Sequence, residues 1–148
     1  MKSFDVEVAD KTYHCQQMSA LDADYIAGLL AKHDVLFYTS DEQYLFALIS
    51  LFVSNVPHDE RKEIAKECLR NTKVSDGEGG LMPVTDKNFN AATLQDYYQL
   101  VAKVLIANFQ SLSSYLLGEN AEVKKALEES VTVMDGSATP SEKKTKKG

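Results

Sequence analysis

The residues able to do chemistry are few and scattered. Histidines stand at His14, His33 and His58, on an expected strand, an expected helix end and a turn, none with an i, i+4 partner. A metal site needs several ligands converging on one point, so solvated or locally bonded imidazoles are the simpler reading. His14 beside Cys15 does not alter this, because successive strand residues point to opposite faces. Cys15 and Cys68 form no CxxC pair and fall in different expected elements, which fits reduced, partly buried thiols. The run DGEGG at 76–80 has the acid-and-glycine composition of a cation or phosphate loop. It lacks the spaced oxygen ligands of an EF-hand and the Lys-Ser/Thr pair of a Walker motif, so a solvated turn is favoured. Ser19, Ser50, Ser54 and the Ser111, Ser113, Ser114 group show no nucleophile-elbow setting. No catalytic residue, cofactor or metal is expected, because an enzyme would need converging polar groups that the sequence does not announce.

The elements around these residues are predicted as a mainly α fold: a helical domain with a small N-terminal β-hairpin and a disordered C-terminal tail. Phe4, Val6 and Val8 alternate with Asp5 and Glu7, the period of a half-buried strand. A return strand over 12–15 would complete a hairpin at 4–16. A hairpin alone is marginal in water, so its apolar face must lie on helices or pair with another chain. Helices are expected at about 19–33, with Ser19 as N-cap; 41–54, with Ser40 as N-cap; 58–69; and 90–117, with Asn90 as cap. The second is apolar over more than half its circumference and is placed at the centre. The state of the run 35–38 is left open. A second short hairpin is expected around 76–79, and a short exposed helix at 121–129. Together these form one domain over 1–130, followed by a flexible lysine-rich tail at 131–148.

The fourth helix organises the rest. It contains no Gly or Pro, and Gly118 follows where a C-cap would sit. About 27 residues at 1.5 Å each give a rod of roughly 40 Å, longer than the short helices need. Its stripe Tyr97, Val101, Val104, Leu105, Leu112 and Tyr115 faces the core in the default reading. Whatever its own chain leaves uncovered would be a contact surface for a partner or for self-association. That surface is expected to fail as a binding site if Tyr97, Val101, Val104 and Leu105 are all hidden.

The net charge of -6 favours solubility and opposes nonspecific binding to nucleic acid or anionic membrane. No basic recognition helix is visible, no apolar run reaches about 18 residues, and MKSFDVEVADK has no signal-peptide run. Neither nucleic acid nor membrane is therefore an expected partner. Glu142 against Lys143, Lys144, Lys146 and Lys147 leaves the ending at +3 and the preceding residues at -9 of that -6.

Four segments together resemble one family. The opening FDVEVADKTYHCQQMSALD reads as a hairpin followed directly by a capped helix. FVSNVPHDERKEIAKECL, the glycine-rich loop with PVTDKNFN, and YYQLVAKVLIANFQSLSSYL come after it. In order and flavour these are similar to the tail assembly chaperones of long-tailed bacteriophages, over about residues 4–118. The resemblance implies a non-enzymatic helical protein of the infected cell's cytoplasm, absent from the finished virion. It implies binding of the tape measure protein, which is kept soluble, and recruitment of tail tube protein around it. It also implies a longer form made by ribosomal frameshifting near the lysine-rich ending, where Lys146-Lys147-Gly148 fits a slippery codon run. Homo-oligomers are expected on separate grounds, since many copies on one long client would gain avidity and the N-terminal hairpin offers an edge for self-association. The competing reading is a small helical adaptor or regulatory protein of prophage origin that binds another protein.

Overall fold

The computed structural model describes residues 2–135 of the chain. Strand β1, Ser3–Val8, pairs antiparallel with β2, Lys11–Gln16, with Val6 opposite Tyr13. The two-residue loop puts Ala9 and Asp10 at φ 50° and 67°. Two left-handed residues make the tight turn whose twist matches that of the flanking strands. The hairpin does not stand alone, as the sequence led one to expect. β3, Lys73–Ser75, pairs with β2 through Tyr13↔Val74, and β4, Leu81–Pro83, pairs with β3. One sheet of order β1-β2-β3-β4 results. Its inner face, Val6, Val8, Tyr13, Cys15 and Val74, is buried.

Helix α1, Ala20–Lys32, opens at Ser19, whose hydroxyl accepts from the Asp22 amide at 3.3 Å. It ends where Asp34 turns left-handed (φ 64°) and Val35 N–H reaches back to Leu30 O at 2.9 Å. The run left open at 35–38 is a 3-10 turn, Leu36–Thr39. The second helix begins later than expected. Asp41, not Ser40, caps a 3-10 turn at Glu42–Tyr44, and α2 runs Leu45–Asn55. Nor is α2 central: Ala47, Leu48 and Phe52 are buried, but Phe46 is 76% exposed. Its wide apolar circumference reflects a side position with one face left open. Helix α3, His58–Leu69, starts after Pro57 as expected.

The central element is α4, Leu94–Gly118, entered through a 3-10 turn at Ala91–Thr93 that Asn90 caps. It packs on β1 and on each of the other helices. Nine of its residues are buried, among them Leu100, Leu105 and Phe109. Polar bolts fix its register. Asn108 Oδ1 accepts from Met18 N–H, Lys103 Nζ donates to Glu7 O on β1, and Ser113 Oγ donates to Leu36 O at 2.8 Å. Counter to the expectation that no segment qualifies, Ala91–Gly118 is long and apolar enough to cross a bilayer. Here it is the core helix of the fold. Gly118 lies inside the helix and does not form the expected left-handed cap.

Two residues on, α5 runs Ala121–Asp135, started by Asn120, whose side chain accepts from Val123 N–H. It is not merely an exposed appendage, since Leu127 is buried and α5 packs on α2 and α4. Its backbone continues past residue 130, where the tail was expected to start. Residues 136–148, with the lysine-rich ending and the frameshift expectation attached to it, lie outside the described residues.

Candidate functional site

Helix α3, the connection from β4 into α4 and the first turns of α4 come together on one side of the fold. Between them lies an open groove of about 800 Å³, within the range of ligand and peptide sites. Leu69, Phe89, Leu94 and Tyr97 contribute to a mostly apolar floor. The floor is anchored by a relay of edge-to-face rings. Phe89 meets Tyr97 at 5.5 Å, Tyr97 meets Tyr98 at 5.4 Å, and Tyr98 meets the core residue Phe52 at 6.1 Å. Such ring pairs add stability beyond the area they bury. Burial, with Tyr98 and Asp86 nearby, holds the Tyr97 phenol above its ordinary value, so the floor is neutral at physiological pH. Leu94 at 46% exposure shows that the floor faces water.

Lys62 and Lys66 from α3, with Arg70 just past its end, make the rim cationic, and His58 opens onto the groove beside them. Arg61 also lines it, but its guanidinium is committed to Val53 O and Val56 O at the end of α2. Among the described residues, Asp86 is the one carboxylate lining the groove.

A family model described as phage tail assembly chaperone protein matches residues 9–112. The chain belongs to that family. No curated protein and no solved structure matches it. The groove of this tail assembly chaperone lies wholly inside the matched span.

The six residues expected to form a contact surface divide into three groups. Val101, Val104 and Leu105 are at 0–1% exposure. The long helix is covered there by the sheet and the other helices, so these three build the core and offer nothing to a partner. Tyr97 is half-buried and lines the groove. Leu112 and Tyr115 are 40% and 66% exposed on the C-terminal half of α4, away from the groove lining. The structure brings only Tyr97 to the candidate site. Residues 62, 66, 89 and 94 were missed. A signal for them existed in the four-residue spacing of bases along α3, and in an aromatic placed at 89 in a segment with no core of its own.

Most of the groups set aside as chemically bland lie away from the groove. His14 Nδ1 contacts Asp5 at 2.9 Å on the outer face of the hairpin, and His33 Nε2 contacts Glu60 at 2.7 Å. Cys15 and Cys68 are free and buried, and burial raises both thiol pKa values. The 76–80 loop is a self-contained turn. Asp76 Oδ1 accepts from the amides of Glu78 (2.7 Å) and Gly80 (3.1 Å), which holds its carboxyl below the ordinary value. Gly77 and Gly79 supply φ values of 83° and 88°. Among the described residues no group of three or more His, Cys, Asp or Glu side chains is placed to hold a metal ion.

Proposed function

We propose that this tail assembly chaperone works by binding the tape measure protein, keeping it soluble while the tail is built and bringing tail tube subunits to it. The reading is non-enzymatic, places the work in the cytoplasm of the infected host, and has the chaperone leave before the virion is finished. Family membership over residues 9–112 supports the general role. The observation that carries the specific reading is the groove beside α4: a mostly apolar cleft of about 800 Å³, open to solvent on a chain of net charge -6. An apolar segment of a long client laid in such a groove is removed from water, while the acidic body keeps the complex dispersed. Many copies on one client would multiply weak contacts by avidity, which is how association between copies enters this reading.

Co-expression tests it. The tape measure protein of the same phage, produced with this chain, is expected to move from the pellet to the soluble fraction and to co-purify with it. A client equally insoluble with and without the chaperone would overturn the proposal.

A further inference from the structure

The charges of α3 are sorted by face. Glu60 and Glu63 turn toward α1 and are used there. Glu60 accepts from Lys32 (3.3 Å) and contacts His33, Glu63 accepts from Tyr25 Oη at 2.8 Å, and Glu67 pairs with Arg70. His58, Lys62, Lys66 and Arg70 stand at four-residue steps on the side that lines the groove. At 1.5 Å per residue that row is about 18 Å long, with a base roughly every 6 Å. Arg70 is partly neutralised by Asp22 and Glu67, but Lys62 and Lys66 are exposed and without a carboxylate partner among the described residues. In a chain of net charge -6, unpaired bases confined to one wall of an apolar groove amount to a selectivity device.

We propose that the groove takes an amphipathic helix with an acidic flank, its leucine or aromatic stripe on the floor and its carboxylates along the Lys62–Lys66 wall. This rests on reading the groove as the client site, and adds the chemistry the client segment must have. The helical form follows from the walls. A peptide added as a β-strand would need a strand edge to satisfy its backbone. The strand residue at the groove is Pro83, which has no N–H to give, and the other walls are helices and irregular connection. A helix brings its backbone hydrogen bonds with it. The acidic preference follows from the lysines, for which a neutral partner offers no counter-charge and a basic one repels. Single-stranded nucleic acid, which also joins cations to aromatic platforms, fits less well. The rings here pack edge-to-face on one another, Leu69 and Leu94 fill much of the floor, and the whole chain repels phosphate.

The test uses the full chain and helical peptides of about 18 residues, roughly the row's length plus one turn, sharing one leucine-and-phenylalanine stripe. The flank carries glutamate every fourth residue in one peptide, glutamine in the second and lysine in the third. A single-stranded DNA oligonucleotide is the fourth probe, and fluorescence anisotropy is the readout. The glutamate peptide is expected to bind about tenfold tighter than the glutamine one, with an advantage that shrinks at high salt. The lysine peptide should bind weakest. In Lys62→Glu/Lys66→Glu, whose exposed side chains leave the melting temperature near that of the parent, the order should reverse. Equal affinities, no binding by any peptide, preference for the oligonucleotide, or an order unchanged in the double variant would each overturn the proposal. So would an oligomer that the double variant dissolves while no peptide binds, since that would assign the groove to a second copy. Co-expression separates the two readings. A client kept soluble by a chaperone indifferent to peptide charge sinks this proposal alone. A glutamate peptide that binds while the client stays insoluble sinks the client reading and leaves the groove chemistry standing.

Discussion

Glu60 sits at the junction of α1 and α3 and serves two bases at once, His33 at 2.7 Å and Lys32 at 3.3 Å. The His33 contact is the larger cause, and the two together hold the Glu60 carboxyl below its ordinary value against the opposing effect of desolvation. A carboxyl whose folded pKa is depressed stabilises the fold fully above its unfolded value of about 4.3. That contribution is lost as the pH falls through the folded value. Glu60→Gln keeps the shape and removes the charge. Its urea midpoint is therefore expected to lie below the parent's at pH 7, with the gap closing as the pH drops through the carboxylate range. A gap of constant size from pH 7 to pH 3 would show that packing, not charge, is what Glu60 supplies. The same residue shows how local chemistry was legible from sequence and partnership was not. His33 was read as a solvated or locally bonded imidazole, yet it is bonded to a partner 27 positions away on another helix, a distance no periodicity spans.

At the level of elements, those with a strong local code were readable. β1 alternates, α3 follows a proline and carries one apolar stripe, and Ser19 caps α1. What failed was whatever tertiary contact decides. β3 is three residues long, and it joins the hairpin only because the chain returns from α3 beside β2. The apolar excess of α2 suggested a central helix, but an apolar circumference states what a helix has to cover, not whether the fold covers it. Gly118 looked like a stop, but no left-handed residue is needed there, because Asn120 begins the next helix two residues later. The contact of α4 with the 3-10 turn at Leu36–Thr39 is likewise invisible locally. Thr39 Oγ1 and Ser113 Oγ lie 2.6 Å apart, both fully buried, and both converge on Leu36 O. Each hydroxyl carries one hydrogen, so one donates to the carbonyl and the other to its neighbour, while the 3-10 turn at Leu36–Thr39 supplies Leu36 O with a backbone donor. Ser113→Ala and Thr39→Val are each expected to cost about 1 kcal/mol. The bond between the hydroxyls is lost in either single variant, so the double variant should cost less than their sum in a double-mutant cycle by chemical denaturation. Simple additivity would mean that the two hydroxyls do not bond to each other.

For the whole molecule, the central question is how one helix serves both core and contact. The fold divides α4 along its length: residues 100–109 are the axis of the core, while Leu94, Tyr97 and Tyr98 floor the groove. The sequence presented these as one continuous stripe, because hydrophobicity does not distinguish a side chain that packs inside from one awaiting a partner. Charge was equally opaque. α3 carries acids and bases in near balance, so its sorted faces average out and no basic helix was visible. Two substitutions on the same helix therefore separate folding from function. Leu105 is fully buried, and Leu105→Ala should destabilise the chain by about 2–5 kcal/mol through lost transfer energy and the cavity left behind. The fraction that remains folded should still solubilise the client. Leu94 is 46% exposed, and Leu94→Ser should shift stability by no more than about 0.5 kcal/mol while lowering the yield of soluble client per folded chaperone. Paired urea melts and co-expression pelleting assays supply both readouts. If Leu94→Ser left client solubility untouched while an exposed position outside the groove, such as Tyr115 or Phe46, reduced it on substitution, the contact surface would have to be moved to the C-terminal half of α4 or to the open face of α2. The opposite division, with stability lost at position 105 and client lost at position 94, follows only if the core ends where the groove begins.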